Sequence, residues 1–293
     1  MSTRSPADPT WPLRWDLLQR YRLIEIIALW EGRLTTNHLC ETFGIGRQQA
    51  SKDLNDYLGT IGAGNLVYDK QAKGYRPTEA FAPKVTSGVA DEYLHLLNRN
   101  QELNQTFEQL PLQTANTDVV QVPLRNVKPE VIRALVMAAR NGRRVEVDYV
   151  SLQNPSREGR IIAPHTLVYA GSRWHVRAFC EKNRDFRDFV LSRFRGTPAI
   201  EGPAESRIED DKRWLHRITL KVTPDQRLSK EQRKVIEQDY GMVRGALRIS
   251  TRAALAQYVL QALRIDPHVI NAKAEAQQIV VENLSEVRPW LFG

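Results

Sequence analysis

Apolar stripes of helical period, separated by glycine stops, organise the first ninety residues. Between residues 16 and 30, Leu17, Tyr21, Ile24 and Ala28 recur at spacings of four, three and four, which predicts a helix with one buried side. Gly32 ends it. A second helix is expected from Thr36, taken as its N-cap, through His38, Leu39 and Phe43 to Gly44. Gly44-Ile45-Gly46 reads as a tight turn. Residues 47–61 then form a third helix with Ala50, Leu54, Tyr57 or Leu58, and Ile61 facing inward. Two short helices joined by a glycine turn, with another packed behind, predict a helix-turn-helix. Residues 65–68 are strand-like, 69–74 a turn and 75–77 a returning strand. That is a hairpin in the position of a wing.

Further on, the pattern changes twice. Residues 81–88 are expected to be a boundary. Residues 93–107 form a helix rich in Asn and Gln, whose Leu94, Leu97 and Leu103 can pack on either neighbour or on a second subunit. Pro129 opens a helix over 130–140 with Val131, Leu135 and Ala138 on one side. From Arg143 the period becomes two: Val145, Val147 and Tyr149 alternate with Glu146, Asp148 and Val150. Strands are predicted over 160–164, 166–169, 174–180 and 186–194, a small antiparallel barrel too tight to enclose much ligand, so binding belongs on its surface. Within 174–180, Trp174, Val176, Ala178 and Cys180 read as the core face and His175, Arg177 and Phe179 as the outer one. In the last third, strands over 218–222, 245–250 and 278–282 alternate with helices over 229–239 and 252–263, a small α+β domain. The apolar tail Trp290-Leu291-Phe292 is expected to dock on a neighbouring domain, on a second subunit, or within its own chain.

The 293 residues thus divide into a winged helix-turn-helix over 1–88, a helical linker over 89–124, a β-barrel domain over 125–206 and an α+β domain over 207–293. Composition adds an expected partner. The net charge is +8, and residues 140–200 hold twelve Lys and Arg against six Asp and Glu. Eleven of the twelve are Arg, whose planar fork suits phosphate recognition. No apolar run approaches the length of a membrane span. Residues 1–12 are polar and lack an apolar signal core, so a cytoplasmic, nucleoid-associated protein is expected. Cys40 and Cys180 stand far apart without a CxxC partner and read as small core residues.

Candidate chemistry is recognition rather than catalysis. The outward side of the third helix presents Arg47, Gln48, Gln49, Ser51, Lys52 and Asn55, residue types that read base edges and hold phosphates. No acidic residue interrupts it up to Lys52. Lys70, Lys73 and Arg76 surround the tip of the wing, placed for backbone phosphates. In the barrel, arginines that share strand faces with aromatics can hold phosphates while bases stack, or form structural pairs in which Arg184 or Arg187 meets Asp185 or Asp188. Walker, HExxH and GxSxG motifs are absent from the sequence, and the six histidines share no metal-ligand spacing. Glu209-Asp210-Asp211, followed by Lys212 and Arg213, reads as a solvated linker. Neither an enzyme nor a cofactor is expected.

The runs Asp148-Tyr149-Val150-Ser151, Arg160 to His165, Trp174 to Cys180, Arg184 to Arg187 and Leu191-Ser192-Arg193-Phe194 resemble a WYL domain. With the winged helix before it and the α+β domain after it, nearly the whole chain resembles the WYL repressors associated with BREX and CBASS phage-defence systems. The name-giving triplet is Trp174-His175-Val176 here, so only the Trp is kept. The resemblance implies an Sm-like barrel with a basic ligand surface at Tyr149, Ser151, Arg160, His165, Arg184 and Arg187, and a C-terminal domain that dimerises. It implies a homodimeric repressor on an inverted-repeat DNA operator, controlled by a nucleotide or oligonucleotide effector. A WYL-type activator, or an Sm-like RNA or single-stranded DNA binder, shares this architecture. A phosphodiester-processing enzyme is the least expected alternative.

Overall fold

The computed structural model of the protein describes residues 13–106, 120 and 125–292, except 154, 157 and 172. The polar lead-in over 1–12 and residues 107–119 and 121–124 of the expected linker, Phe107 among them, lie outside the described residues, as does the side chain of Leu103. The chain forms two compact units, Met1–Gln121 and Val122–Gly293.

In the first unit α1 (Trp15–Glu31), α2 (Thr36–Phe43) and α3 (Arg47–Gly59) precede a hairpin of β1 (Leu66–Asp69) and β2 (Gly74–Pro77), and α4 (Ala90–Thr106) follows. Gly32 and Gly44 close their helices in the left-handed region, φ 71° and 61°, where a Cβ is unfavourable. The N-cap of α2 is Thr35, one residue ahead of the expected Thr36, and its backbone N–H donates to His38 Nδ1 at 3.0 Å. Tyr21, Ile24, Ala28, Leu39, Ala50, Leu54 and Tyr57 make the core. Leu23, Ile26 and Ile27 are buried as well, because α1 is covered on a second side by Phe81, Val85 and Leu96. Leu97 is buried in this unit, whereas Leu94 is exposed.

Segment 81–88 is no free boundary. Glu25 of α1, fully buried at 0% exposure, accepts backbone N–H groups of Lys84 (2.8 Å), Val85 (3.1 Å) and Thr86 (2.9 Å) and the hydroxyls of Thr86 (2.8 Å) and Tyr57 (3.0 Å). A carboxylate can be buried when its lone pairs are met this fully. The segment is therefore strapped to the winged helix. Leu34 adds a bridge to the hairpin, exchanging 2.8 Å bonds with Tyr75. At Gly74 a Cβ would stand 2.9 Å from the Leu34 carbonyl oxygen, so this close approach of two backbones requires glycine.

The second unit opens with α5 (Pro129–Asn141), followed by β3 (Arg143–Tyr149), β4 (Glu158–Tyr169), β5 (Trp174–Cys180), β6 (Asp185–Val190) and β7 (Phe194–Pro203). They form one antiparallel sheet in the order β6-β5-β4-β3-β7. Val145, Val147, Ile162, Val176, Ala178 and Phe189 pack beneath Val131, Leu135 and Ala138 of α5. Where a closed barrel was expected, the end strands β6 and β7 are not paired with each other among the described residues. A single 3-10 turn, Leu191–Arg193, separates them, which breaks the strand expected over 186–194. The two strands expected over 160–169 are one strand with a register shift between Pro164 and Thr166. That bulge makes His165 the extra residue.

Strand β5 corrects a second expectation. Trp174 is 49% exposed, while His175 and Arg177 are buried. Trp174 lies at the end of the hairpin against Tyr169 (centroids 5.0 Å apart), beyond the reach of α5. The supposedly outer face is covered by the C-terminal part of the same unit. That part comprises α6 (Lys212–Leu215), β8 (Arg217–Pro224), α7 (Lys230–Asp239), β9 (Leu247–Arg252), α8 (Ala256–Ala262), α9 (Ala274–Gln277), β10 (Ile279–Val281) and α10 (Leu284–Val287). Its sheet runs β10-β8-β9, and Leu220, Val222, Ala256, Leu260 and Ile279 form its core. Ser229 caps α7 by accepting the Gln232 N–H at 3.2 Å. The apolar tail packs within the chain: Trp290 stacks on His216 at 4.6 Å and Phe292 meets Tyr258 at 5.2 Å.

Candidate nucleic-acid interface and ligand surface

The start of α3 is set by the extended backbone of Gly46 (φ −70°, ψ 156°), and its inward side by Ala50, Leu54 and Tyr57. A helix that buries those positions must turn 48, 51, 52 and 55 away from the core. The structure brings Arg47, Gln48, Ser51, Lys52 and Asn55 together, with Asp56, around one shallow open groove. All five are exposed. Gln49 is exposed too but stands to one side. Its Nε2 donates to Asp53 Oδ1 at 2.7 Å. Asp53, inward-facing and missed by the sequence reading, is buried, and its Oδ2 lies 2.7 Å from Arg20 Nε of α1. The contact is a charge pair too oblique to count as a hydrogen bond.

On the wing, Lys70 and Lys73 are exposed and Lys73 takes a left-handed φ of 49°. Arg76 is exposed but pairs with Asp69 at 3.3 Å. Asp69 also accepts the Gln71 and Ala72 N–H groups (2.8 and 2.9 Å), which shapes the turn. Bonds from Ala72, first, and Gln71 and the nearby Arg76 charge outweigh desolvation and hold its carboxyl below the ordinary carboxylate value. Arg33, just before the bridge at Leu34, was not anticipated. It donates to the Ala72 carbonyl at 2.6 Å and so fixes the wing to the helical body.

The six residues expected to hold a ligand fall on two faces of the central sheet. Arg160 pairs in register with Val147, and Arg187 with Ala178. Both therefore extend the inner face beyond its apolar part. Tyr149 is buried beneath them: its ring lies 6.0 Å from the Arg160 guanidinium carbon, and its hydroxyl accepts the Val190 N–H at 3.0 Å. Arg160 Nη1 reaches Asn183 Oδ1 (3.4 Å) in the β5–β6 turn, next to Arg184, which is exposed with a left-handed φ of 51°. Arg187 is exposed and 3.8 Å from Asp185, one of the structural pairs that the sequence allows. Ser151 is half-buried just beyond β3.

His165 lies on the opposite face with its side chain only 8% exposed. It belongs to a buried ionic cluster. Arg177 Nε and Nη2 bond Asp211 at 2.6 and 3.1 Å, and its Nη1 reaches Asp188 at 3.2 Å. His165 Nε2 stands 3.3 Å from the same Asp211, whose Oδ1 also accepts the Trp214 N–H (3.1 Å). Tyr258 of α8 donates to Asp188 at 3.1 Å. Burial works against the Asp211 charge, but bonds from His165 and Arg177 and the Arg177 charge outweigh it, so its carboxyl sits well below the ordinary range. Asp211, expected in a solvated linker, is 1% exposed. Its burial could not be read from a run of charges, because the cation that pairs with it lies 34 residues earlier.

His175, in the middle of the triplet, is 3% exposed, lies 5.0 Å from the Tyr258 ring and leaves Nδ1 without a hydrogen-bond partner among the described residues. Burial lowers its pKa from 6.5 to about 4; Asp188 opposes this, and Arg173, Arg193 and Arg125 add to it. Above pH 6.5 the ring is neutral in folded and unfolded chains alike. Between pH 6.5 and 4 only the unfolded chain takes up the proton, so stability falls as pH falls, by about 3 kcal/mol in all. Thermal melts should show His175→Phe losing less stability than the wild type between pH 7 and 4.5. Parallel pH profiles would remove the assignment.

Three comparisons fit this geometry. Residues 16–99 match the BrxR transcriptional regulator winged helix-turn-helix domain, 130–197 the WYL domain and 217–287 the BrxR C-terminal dimerization domain. A DNA-binding transcriptional repressor CapW from Pseudomonas aeruginosa is 31% identical over 94% of this chain and 92% of its own. CapW from Stenotrophomonas maltophilia is 31% identical over 95% of this chain and 93% of its own. CapW from Escherichia coli strain KTE188 is 32% identical over 94% and 91%. Similarity at this level across all three segments is decisive: the chain belongs to the BrxR/CapW family of WYL-domain transcriptional regulators.

Proposed function

We propose that the protein is a sequence-specific, homodimeric DNA-binding repressor whose second unit senses a nucleotide or short single-stranded oligonucleotide. The observation that carries the reading is the groove of Arg47, Gln48, Ser51, Lys52 and Asn55 on α3. Arg pairs bidentately with guanine, Gln and Asn with adenine, and Lys with phosphate. Lys70, Lys73 and Arg76 on the wing contact flanking phosphates. In a dimer held through residues 217–287, two copies of α3 enter successive major grooves about 34–36 Å apart, which selects an inverted repeat. The family names support repression and a phage-defence operon as the controlled unit. No helix of the described residues is long and apolar enough to cross a membrane, in keeping with a cytoplasmic, nucleoid-associated regulator.

In this reading the winged helix includes the strapped segment up to 88, the linker runs to 124 and the central domain to 206, and the central sheet is an Sm-like small barrel whose end strands are not hydrogen-bonded to each other among the described residues. Its ligand surface is the patch of Arg160, Arg184 and Arg187 with Ser151. Tyr149 supports Arg160 from below, and His165 acts through the Asp211 cluster. An effector changes operator binding only by binding one dimer arrangement better than another. The protein acts by binding and has no catalytic role.

The test is a mobility-shift titration on the protein's own promoter. Gln48→Ala, Gln49→Ala and Lys52→Ala together should weaken binding at least 100-fold, since each lost base pairing costs about 1–3 kcal/mol. Undiminished operator binding by the triple variant would instead support the alternative of an Sm-like nucleic-acid module in the second unit.

A further inference from the structure

We infer that Gln49 sets a base preference at one position of each operator half-site, choosing a base with an exocyclic amino group in the major groove (adenine or cytosine) over one with a keto oxygen (guanine or thymine). This rests on the reading that α3 enters the major groove, and it names what that helix selects there. A glutamine amide is normally ambiguous. Turning it about its last bond exchanges a donor for an acceptor at nearly the same point in space. Gln48, on the rim of the groove, makes no side-chain hydrogen bond among the described residues and keeps that freedom.

Gln49 does not. Its nitrogen is held 2.7 Å from Asp53 Oδ1. Asp53 is 2% exposed, and its other oxygen faces Arg20 at 2.7 Å. Arg20 is itself 3.3 Å from Asp16. A carboxylate paired with a guanidinium is an acceptor only. Reversing the amide would press Oε1 against Oδ1, acceptor against acceptor, with the lone pairs of both unsatisfied. Asp53 thus turns the nitrogen inward and leaves Oε1 on the outer side. The amide's second N–H lies beside it. An outward acceptor takes the amino hydrogens of adenine N6 or cytosine N4 and is repelled by guanine O6 or thymine O4. The neighbouring N–H suits adenine N7, so adenine is favoured over cytosine.

The experiment uses the full chain and its promoter segment in competition mobility shifts, with every base pair of a half-site replaced in turn by the other three. One position should prefer adenine or cytosine about tenfold over guanine or thymine, and Gln49→Ala should level that preference to within about twofold. At that position purine in place of adenine, which lacks only the amino group, should cost the wild type about tenfold and the Gln49→Ala protein almost nothing. Asp53→Asn lets the amide turn and should bring the amino-to-keto ratio close to one. A purely structural Asp53 would lower affinity and leave the ratio intact. The analogue measurement needs no variant and stands even if Asp53→Asn fails to fold. A preference profile unchanged by Gln49→Ala overturns the inference, as does a Gln49-dependent position that prefers guanine or thymine. If Gln48→Ala and Lys52→Ala also bind like the wild type, the reading of α3 itself falls.

Discussion

Arg177→Met is expected to destabilise the second unit by about 3–5 kcal/mol, because it strands two buried carboxylates. Asp211 and Asp188 would each lose the guanidinium that now stands 2.6 and 3.2 Å away. At this size of unit the melting temperature should fall on the order of 10 °C. Asp211→Asn should cost a similar amount, since it leaves Arg177 and His165 without their shared partner. The double variant should lose clearly less than the sum of the two, which is what contact in one network requires. A calorimetric melt of Arg177→Met within about 1 kcal/mol of wild type would show that water already reaches the cluster.

The same cluster carries a pH dependence. The Asp211 carboxyl is held below its ordinary value of 3.8 in the folded chain. Its contribution is therefore complete above pH 4 and is lost as pH falls further, because the unfolded chain takes up the proton first. Acid melts of wild type and Asp211→Asn should converge below pH 4. His175 acts at higher pH, between 6.5 and 4, so the two groups produce separable steps in one acid titration.

Glu25→Gln should be the most damaging conservative change in the first unit. The carboxylate accepts three backbone N–H groups from 84–86 and two hydroxyls. A glutamine of the same shape must turn an NH2 group towards donors and leave them unsatisfied. The expected cost is about 2–4 kcal/mol. Burial raises the Tyr57 pKa, so its hydroxyl stays a donor at neutral pH. Loosening 82–86 exposes the second side of α1, so amide exchange should quicken at Lys84, Val85 and Thr86 before the core of α3. Unchanged exchange there would mean that packing of Phe81 and Val85, and not Glu25, holds the segment.

The sequence alone determined the elements and their order wherever one face of an element meets the core. The stripe at Leu17, Tyr21, Ile24 and Ala28 predicted α1, and the alternation at Val145, Val147 and Tyr149 predicted β3, because burial repeats with the period of the backbone. The polar side of α3 was legible for the same reason: once Ala50, Leu54 and Tyr57 are inside, positions 48, 51, 52 and 55 must face out. Motif resemblance supplied the family. The tertiary structure alone decided which polar residues are buried. His175 and Arg177 alternate with apolar neighbours like any solvated strand face, yet they lie beneath the C-terminal part of the unit. Glu25, Asp53 and Asp211 are ordinary acids until Thr86, Arg20 and Arg177 come to them from elsewhere in the chain. A charge can leave water only when its partner arrives with it, and distant partners are brought together by the packing of whole segments, which no local pattern records.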